Sequence, residues 1–287
     1  MAAFPHENRR LYSLMTAKKN LDYVLGTHDE EVARLGLQHS VWRDTVLACW
    51  RKAGIGAGMR VLDVGAGPGH ATVDLAEIVG PRGEVLAIER SARFLDIART
   101  SCAARGLSNV KLQEADLMEQ TIQATDFDAA WCRWVASFVK SPATLVQRIA
   151  EAVRREGIVI FHEYIDYGTF RMAPRRLAVE SFVNEVMESW KAAGGEPDVA
   201  LLLPTLLRDS GLRVLSATPR VFAISAADAM WQWPASFIEV NLARLRDLGR
   251  VTLEWVESVR REFREGEADP VTLITTPMVL EIVAQRE

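Results

Sequence analysis

A chain of 287 residues, 49% hydrophobic and 25% charged, holds enough apolar material for one large domain or two small ones. Its formal net charge of −4 argues against a dedicated nucleic-acid binder, which would carry a basic face. No apolar run approaches the roughly 20 residues a membrane-spanning helix needs, and the opening residues lack the apolar core of a signal peptide. A cytoplasmic location is therefore expected. Cys49, Cys102 and Cys132 are scattered without C-x-x-C spacing and read as reduced core residues, and the five histidines show no metal-ligand spacing, so no metal is implied.

The chain begins with mixed helical sequence over 9–25. Thr27-His-Asp-Glu30 then has the capping-box pattern that opens a second helix running towards Ala53. From residue 59 strands and helices alternate: strand 59–64, helix 70–79, strand 84–88, helix 92–105, strands 110–113 and 127–131, helix 142–155 with Ser141 as N-cap, and strand 158–163. Such alternation predicts a doubly wound parallel sheet with helices on both faces. Beyond it the pattern predicts helical sequence over 174–210 broken at Gly194-Gly195, a strand over 212–224, a tryptophan-rich helical insertion over 225–270, and an apolar strand over 278–284. The expected layout is an N-terminal helical lid (1–58), a core (59–163), and a remainder of the sheet (164–287) with covering insertions at 164–210 and 225–270.

Val61-Leu-Asp-Val-Gly65-Ala-Gly67-Pro-Gly69 carries the chemistry. A strand that enters a glycine turn and then a helix presents a nucleotide-like ligand at the sheet's carboxyl edge, with bare backbone against it. The dinucleotide fingerprint G-x-G-x-x-G would place its third glycine where His70 stands. Strand 84–88 runs into Glu89, twenty residues past Gly69, an acid placed to hold a ribose diol in either a dinucleotide or an adenosyl ligand. The third strand favours the second: in Glu114-Ala-Asp116-Leu117 a carboxylate past the strand end can accept from an adenine amine.

With VLDVGAGPG, Glu89, Glu-Ala-Asp116 and Phe127-Asp-Ala-Ala-Trp-Cys-Arg133-Trp134 in order, the segment from about 54 to 163 resembles the class I S-adenosylmethionine-dependent methyltransferases, in their small-molecule subgroup. The resemblance implies an α/β, doubly wound, Rossmann-like seven-stranded sheet whose last strand runs antiparallel. It also implies S-adenosyl-L-methionine as cofactor and S-adenosyl-L-homocysteine as product. Carried over, Gly65, Ala66 and Gly67 would pass under the amino-acid part of the cofactor. Glu89 would hold the ribose, Arg90 would pack along the adenine, and Asp116 with Leu117 would meet its edge. Arg133 would line the pocket after the fourth strand, and Tyr23, Arg34 and Gln38 of the lid would reach the methionyl carboxylate and amine.

Other readings stand beside these. Arg34 and Gln38, at i and i+4, equally suit a solvent-exposed pair on one helix face. Asp63 reads as an acid tying down the glycine turn, and His39 and Trp42 as lid packing. At the end of the fifth strand, Glu163, and after it His162, are candidate proton acceptors or else satisfied buried groups. The acceptor is expected to be a small molecule, such as a secondary metabolite, methylated on O, N or C; neither nucleic acid nor membrane is an expected partner. Oligomeric state is left open, a homodimer included. The competing functions are an NAD(P)-dependent Rossmann oxidoreductase and a non-catalytic S-adenosylmethionine-binding regulator.

Overall fold

The computed structural model describes residues 27–287. Helix α1 (Asp29–Lys52) opens the described chain, with three acids in its first turn and Arg51 and Lys52 in its last, both suited to the helix dipole. Its cap is His28, whose Nδ1 accepts from Glu31 N at 3.2 Å, and not Thr27 as the capping-box pattern suggests.

The core alternates as expected: β1 (Arg60–Val64), α2 (His70–Val79), β2 (Glu84–Glu89), α3 (Ala92–Ala104), β3 (Val110–Glu114), β4 (Phe127–Arg133), α4 (Pro142–Ala152) and β5 (Val153–Asp166). Helix α4 ends three residues earlier than its polar sequence suggests, because fully buried Val153 already pairs with Phe127 of β4. Later come β6 (Arg171–Ala173), α5 (Leu177–Ala192), α6 (Leu203–Asp209), β7 (Leu212–Arg220), β8 (Ala223–Ile224), α7 (Gln232–Asp247), α8 (Leu253–Ala268), β9 (Leu273–Thr275) and β10 (Met278–Arg286).

Seven strands form one sheet in the order β3-β2-β1-β4-β5-β10-β7. The first five are parallel, and β10 runs antiparallel between β5 and β7. Alternation along each strand splits the core into two layers. Val61, Val85, Trp131 and Ile160 face α1, α2, α5, α7 and α8. Leu62, Leu86, Ala130 and Phe161 face α4 and α6.

The second half departs from the sequence expectation in its strands. The single strand read over 212–224 is two strands in different sheets, and β8 joins β9 and β6 in a separate three-stranded sheet. Strands of two or three residues are too short to show a period-2 pattern. The Gly194-Gly195 break falls where it was expected, directly after α5; a Cβ on Gly195 would lie 2.5 Å from the Ser137 carbonyl. Among the described residues no helix is long and apolar enough to cross a membrane.

Candidate functional site

The carboxyl ends of β1 to β4 open into one cavity of about 1510 Å³. Its floor is the glycine turn. Gly65 and Gly67 both have positive φ, 64° and 55°, but for different reasons. A Cβ on Gly65 would sit 2.3 Å from Val135 Cγ2, so the loop after β4 requires glycine there; Gly67 faces open space. Gly69 performs the packing role of a third fingerprint glycine, since its Cβ would lie 2.6 Å from Ala98 Cβ of α3. Ala66 N donates to the Ile88 carbonyl at 3.0 Å and Gly67 N to Glu89 Oε2 at 3.0 Å, so both amides brace the turn. Asp63 braces it too, accepting from Thr72 Oγ1 at 2.6 Å in the first turn of α2, and burial pushes its carboxyl up to about 6.

Glu89, 9% exposed, lines the cavity while each oxygen accepts one backbone N–H, from Gly67 and from Ser91. Burial raises its pKa, and those two bonds oppose the shift. Asp116 lines the same end, its Oδ1 taking Met118 N at 2.8 Å, with Leu117 beside it. Arg90 stands exposed on the rim.

At the other end of the turn, Arg133 from the end of β4 and Gln38 from α1 line the wall. Arg133 Nη2 donates to His39 Nδ1 at 3.0 Å, so the His39 proton is on Nε2 and donates to Asp74 Oδ2 at 3.0 Å. Asp74 also takes a fork from Arg43, at 2.8 and 3.0 Å. Arg133 lies 5.0 Å from the Trp134 ring centroid and 5.9 Å from that of Trp131, and burial lowers it to about 10. His70 stacks on His39 at 5.7 Å and lines the cavity, held neutral by burial with a pKa of about 4.

Three expected site residues lie elsewhere. Arg34 is not in the lining; it forks onto Glu31 at 2.7 and 2.6 Å and gives its third bond to Gln38 Oε1 at 2.8 Å. Nor is it half of a solvent-exposed pair, because Arg34 is 4% and Gln38 7% exposed. Glu163 is fully buried below the cavity, accepting from Val135 N, Ala136 N and Ser137 Oγ at 2.7, 2.8 and 3.0 Å. Burial lifts it to about 7. His162 is buried against Trp42, Trp131 and Trp134 and held neutral there. Tyr23 lies outside the described residues. The sequence reading left His39 as packing and passed over Asp74; the i, i+4 pairs His39/Arg43 and His70/Asp74 were the available signal, but not that the two helix faces meet.

Beyond the turn the cavity extends under α5 and α7, where Phe138, Ala192, Ala193, Val240, Ala243 and Leu248 alternate with charged Lys140, Glu239, Arg244, Asp247 and Arg250. Arg244 crosses it to Ser189 Oγ at 3.1 Å.

A parallel doubly wound sheet with an antiparallel strand inserted before its edge, and a ligand cavity at its carboxyl ends, defines a Rossmann-like α/β fold. The methyltransferase-domain family model matches residues 55–196. Demethylmenaquinone methyltransferase of Staphylococcus aureus is 37% identical over 91 residues, 32% of this chain and 36% of that protein. The chain thus aligns with about a third of the length of that curated relative. Among solved structures, a phosphoethanolamine N-methyltransferase of Haemonchus contortus with bound S-adenosylhomocysteine is similar over 85% of this chain and 52% of its own, at TM-score 0.54 and 17% identity. The cyclase SpnF is similar over 85% of this chain and 80% of its own, at TM-score 0.54 and 20% identity. Both are likenesses of fold, and the second shows that the fold carries more than one chemistry. The match places a methyltransferase domain at 55–196, just under half of the chain. The cofactor such a domain implies is S-adenosylmethionine. The residues present fit that group: bare backbone at Gly67 and a buried acid at Glu89.

Proposed function

We propose that the chain moves a methyl group from S-adenosylmethionine to a small-molecule O, N or C nucleophile enclosed between the glycine turn and the α5–α7 wall. One observation carries this: the cofactor-type lining and the helical wall of α5 and α7 belong to one cavity of about 1510 Å³. That exceeds the roughly 300–1,000 Å³ typical for a single small ligand, leaving room for an acceptor beside the cofactor. When bound, the cofactor supplies an activated sulfonium methyl. The protein's part is to orient the acceptor and exclude water, and proximity alone is worth roughly 7–11 kcal/mol of a barrier.

In this reading Glu89 holds the ribose, Asp116, Leu117 and Arg90 meet the adenine, and Gly65 to Gly67, Gln38 and Arg133 surround the methionyl arm. Of the expected lid over 1–58, the described residues 27–58 act as lid, 59–163 as cofactor core, and 164–287 supply the acceptor cover. Glu163 acts by fixing the 135–137 loop under the acceptor. Three free, buried cysteines suit a reducing cytoplasm.

Two measurements test the reading. S-adenosylhomocysteine should raise the melting temperature and NAD should not, because only a ligand of the native state stabilises it. With methyl-labelled cofactor and fractionated cell extract, label should enter the low-molecular-weight fraction. Label confined to protein or RNA would overturn the small-molecule assignment.

A further inference from the structure

The α5–α7 end of the cavity is lined by three cations, Lys140, Arg244 and Arg250, and two acids, Glu239 and Asp247. Each acid is held from outside the lining: Arg260 Nε donates to Glu239 at 3.0 Å and Arg246 Nη2 to Asp247 at 3.4 Å. Arg250 pairs with Glu185 of α5. Lys140 is exposed and makes no ion pair among the described residues. Burial and the charge of Arg250 both lower the pKa of Arg244, so an anion beside this guanidinium would be favoured.

Helix α5 places two of these cations. Arg244 Nη1, reaching from α7, donates to Ser189 Oγ at 3.1 Å, and that hydroxyl gives its own hydrogen to the Val186 carbonyl at 2.8 Å. The guanidinium is thereby pinned across the gap between the helices. The Lys140 stem lies against the turn that ends α5, where a Cβ on Gly194 would sit 3.7 Å from its Cγ. Ala192 and Ala193, between those two anchor points in the chain, are apolar lining. A neutral acceptor seated on this wall would strip water from both cations without replacing it. An acceptor that carries an oxyanion answers them, since a guanidinium forks onto a carboxylate or phosphate and an ammonium acts as a point charge. Glu89 and Asp116 line the adenosine side, at the end of β2 and just past β3, which leaves the helical end to the acceptor.

We propose that the methyl acceptor is an anion: a small molecule with an apolar body whose carboxylate or phosphate group is held by Arg244 and Lys140, away from the reacting atom. The proposal rests on the methyl-transfer reading above and names its substrate class. On transfer the bond from methyl to sulfonium breaks and one from methyl to an acceptor oxygen, nitrogen or carbon forms. S-adenosylhomocysteine leaves, and the nucleophile's hydrogen goes to solvent as a proton. The anionic group takes no part, so the product keeps its charge.

The experiment supplies the full chain with methyl-labelled S-adenosylmethionine and a small-molecule pool from cell extract. The labelled wild-type product should be retained on an anion exchanger at pH 8. Alkaline phosphatase separates the two anions: a phosphate ester loses retention and a carboxylate keeps it, and either result supports the proposal. With a dilute pool, Arg244→Gln should transfer roughly 10–100-fold less label, the worth of a charge-assisted hydrogen bond, and Arg244→Lys should recover part of the loss. The deficit should shrink as the pool is concentrated, a rise in KM that a merely structural lesion would not produce. Lys140→Gln, at an exposed position that leaves folding intact, should transfer roughly two- to fivefold less. Affinity for S-adenosylhomocysteine in calorimetry should be unchanged in all three variants. Label in the flow-through, or wild-type transfer by both Arg244→Gln and Lys140→Gln, would overturn the anionic acceptor. Absence of any labelled small molecule from the wild type would instead overturn the methyl-transfer reading, a separate result.

Discussion

At the scale of single residues, the three turn glycines do three different jobs, and substitution should separate them. Gly67→Val places a branched side chain in the open cavity at φ 55°. It is expected to abolish S-adenosylhomocysteine binding in calorimetry with the fold retained; near-normal affinity would remove the turn from the cofactor site. Gly65→Ala meets Val135 instead. Left-handed strain and overpacking together predict a loss of about 2–4 kcal/mol in urea unfolding. That loss should be smaller in a Val135→Ala background, and an equal loss in both would show that φ alone matters. The glycine pattern was readable in the sequence, since each glycine obeys a backbone rule. Which glycine faces ligand and which faces Val135 or Ala98 depends on segments more than 25 residues away along the chain, and no local pattern encodes that.

At the scale of elements, α1 is held by two polar systems: the buried Glu31–Arg34–Gln38 set, joined by Trp233 Nε1 from α7 at 3.1 Å, and the His39–Asp74–Arg43 set to α2, which reaches the surface at Arg43. Glu31→Gln deprives Arg34 of its carboxylate, and breaking a buried pair from one side is expected to cost about 3 kcal/mol in urea unfolding. Replacing Glu31 and Arg34 together with apolar residues should cost less than Glu31→Gln alone; a larger cost would mean that the pair carries net stability. The helix itself, and the Arg34/Gln38 spacing on it, were legible from the 3.6-residue period. The partner of Arg34 was not, although Glu31 is only one turn away. A sequence shows that three polar residues share a face, but not whether that face meets solvent or another helix. The same limit explains Glu163: the strand end was located correctly, while the loop that folds back to donate three hydrogen bonds to it was not foreseeable.

At the scale of the whole molecule, buried titratable groups set opposing slopes of stability with pH. Glu163, pushed to about 7, and Asp63, pushed to about 6, are protonated more readily folded than unfolded. Their contribution is therefore complete at acid pH and lost as pH rises through the folded values. Buried His70, lowered to about 4, and His162 act in the other direction, losing stability as pH falls below the ordinary histidine range. Stability should consequently peak near pH 6. Between pH 5 and pH 8 it should fall less in Glu163→Gln than in the wild type, by roughly 2–3 kcal/mol given a shift of that size. Identical slopes in chemical denaturation would show that Glu163 titrates normally.

The placement of β10 has a kinetic consequence. Residues 278–286 fill the slot between β5 and β7, so β7 has no sheet partner until the 280s have left the ribosome. The cofactor half can assemble during synthesis from neighbours close in sequence, whereas closure of the sheet waits on a pairing that spans more than a hundred residues, from Val159 to Ala284. A nascent chain stalled before residue 278 should thus carry an ordered nucleotide-binding edge and an unclosed far edge. Chaperones would meet this protein at β5 and β7, the two strands that β10 has yet to bridge.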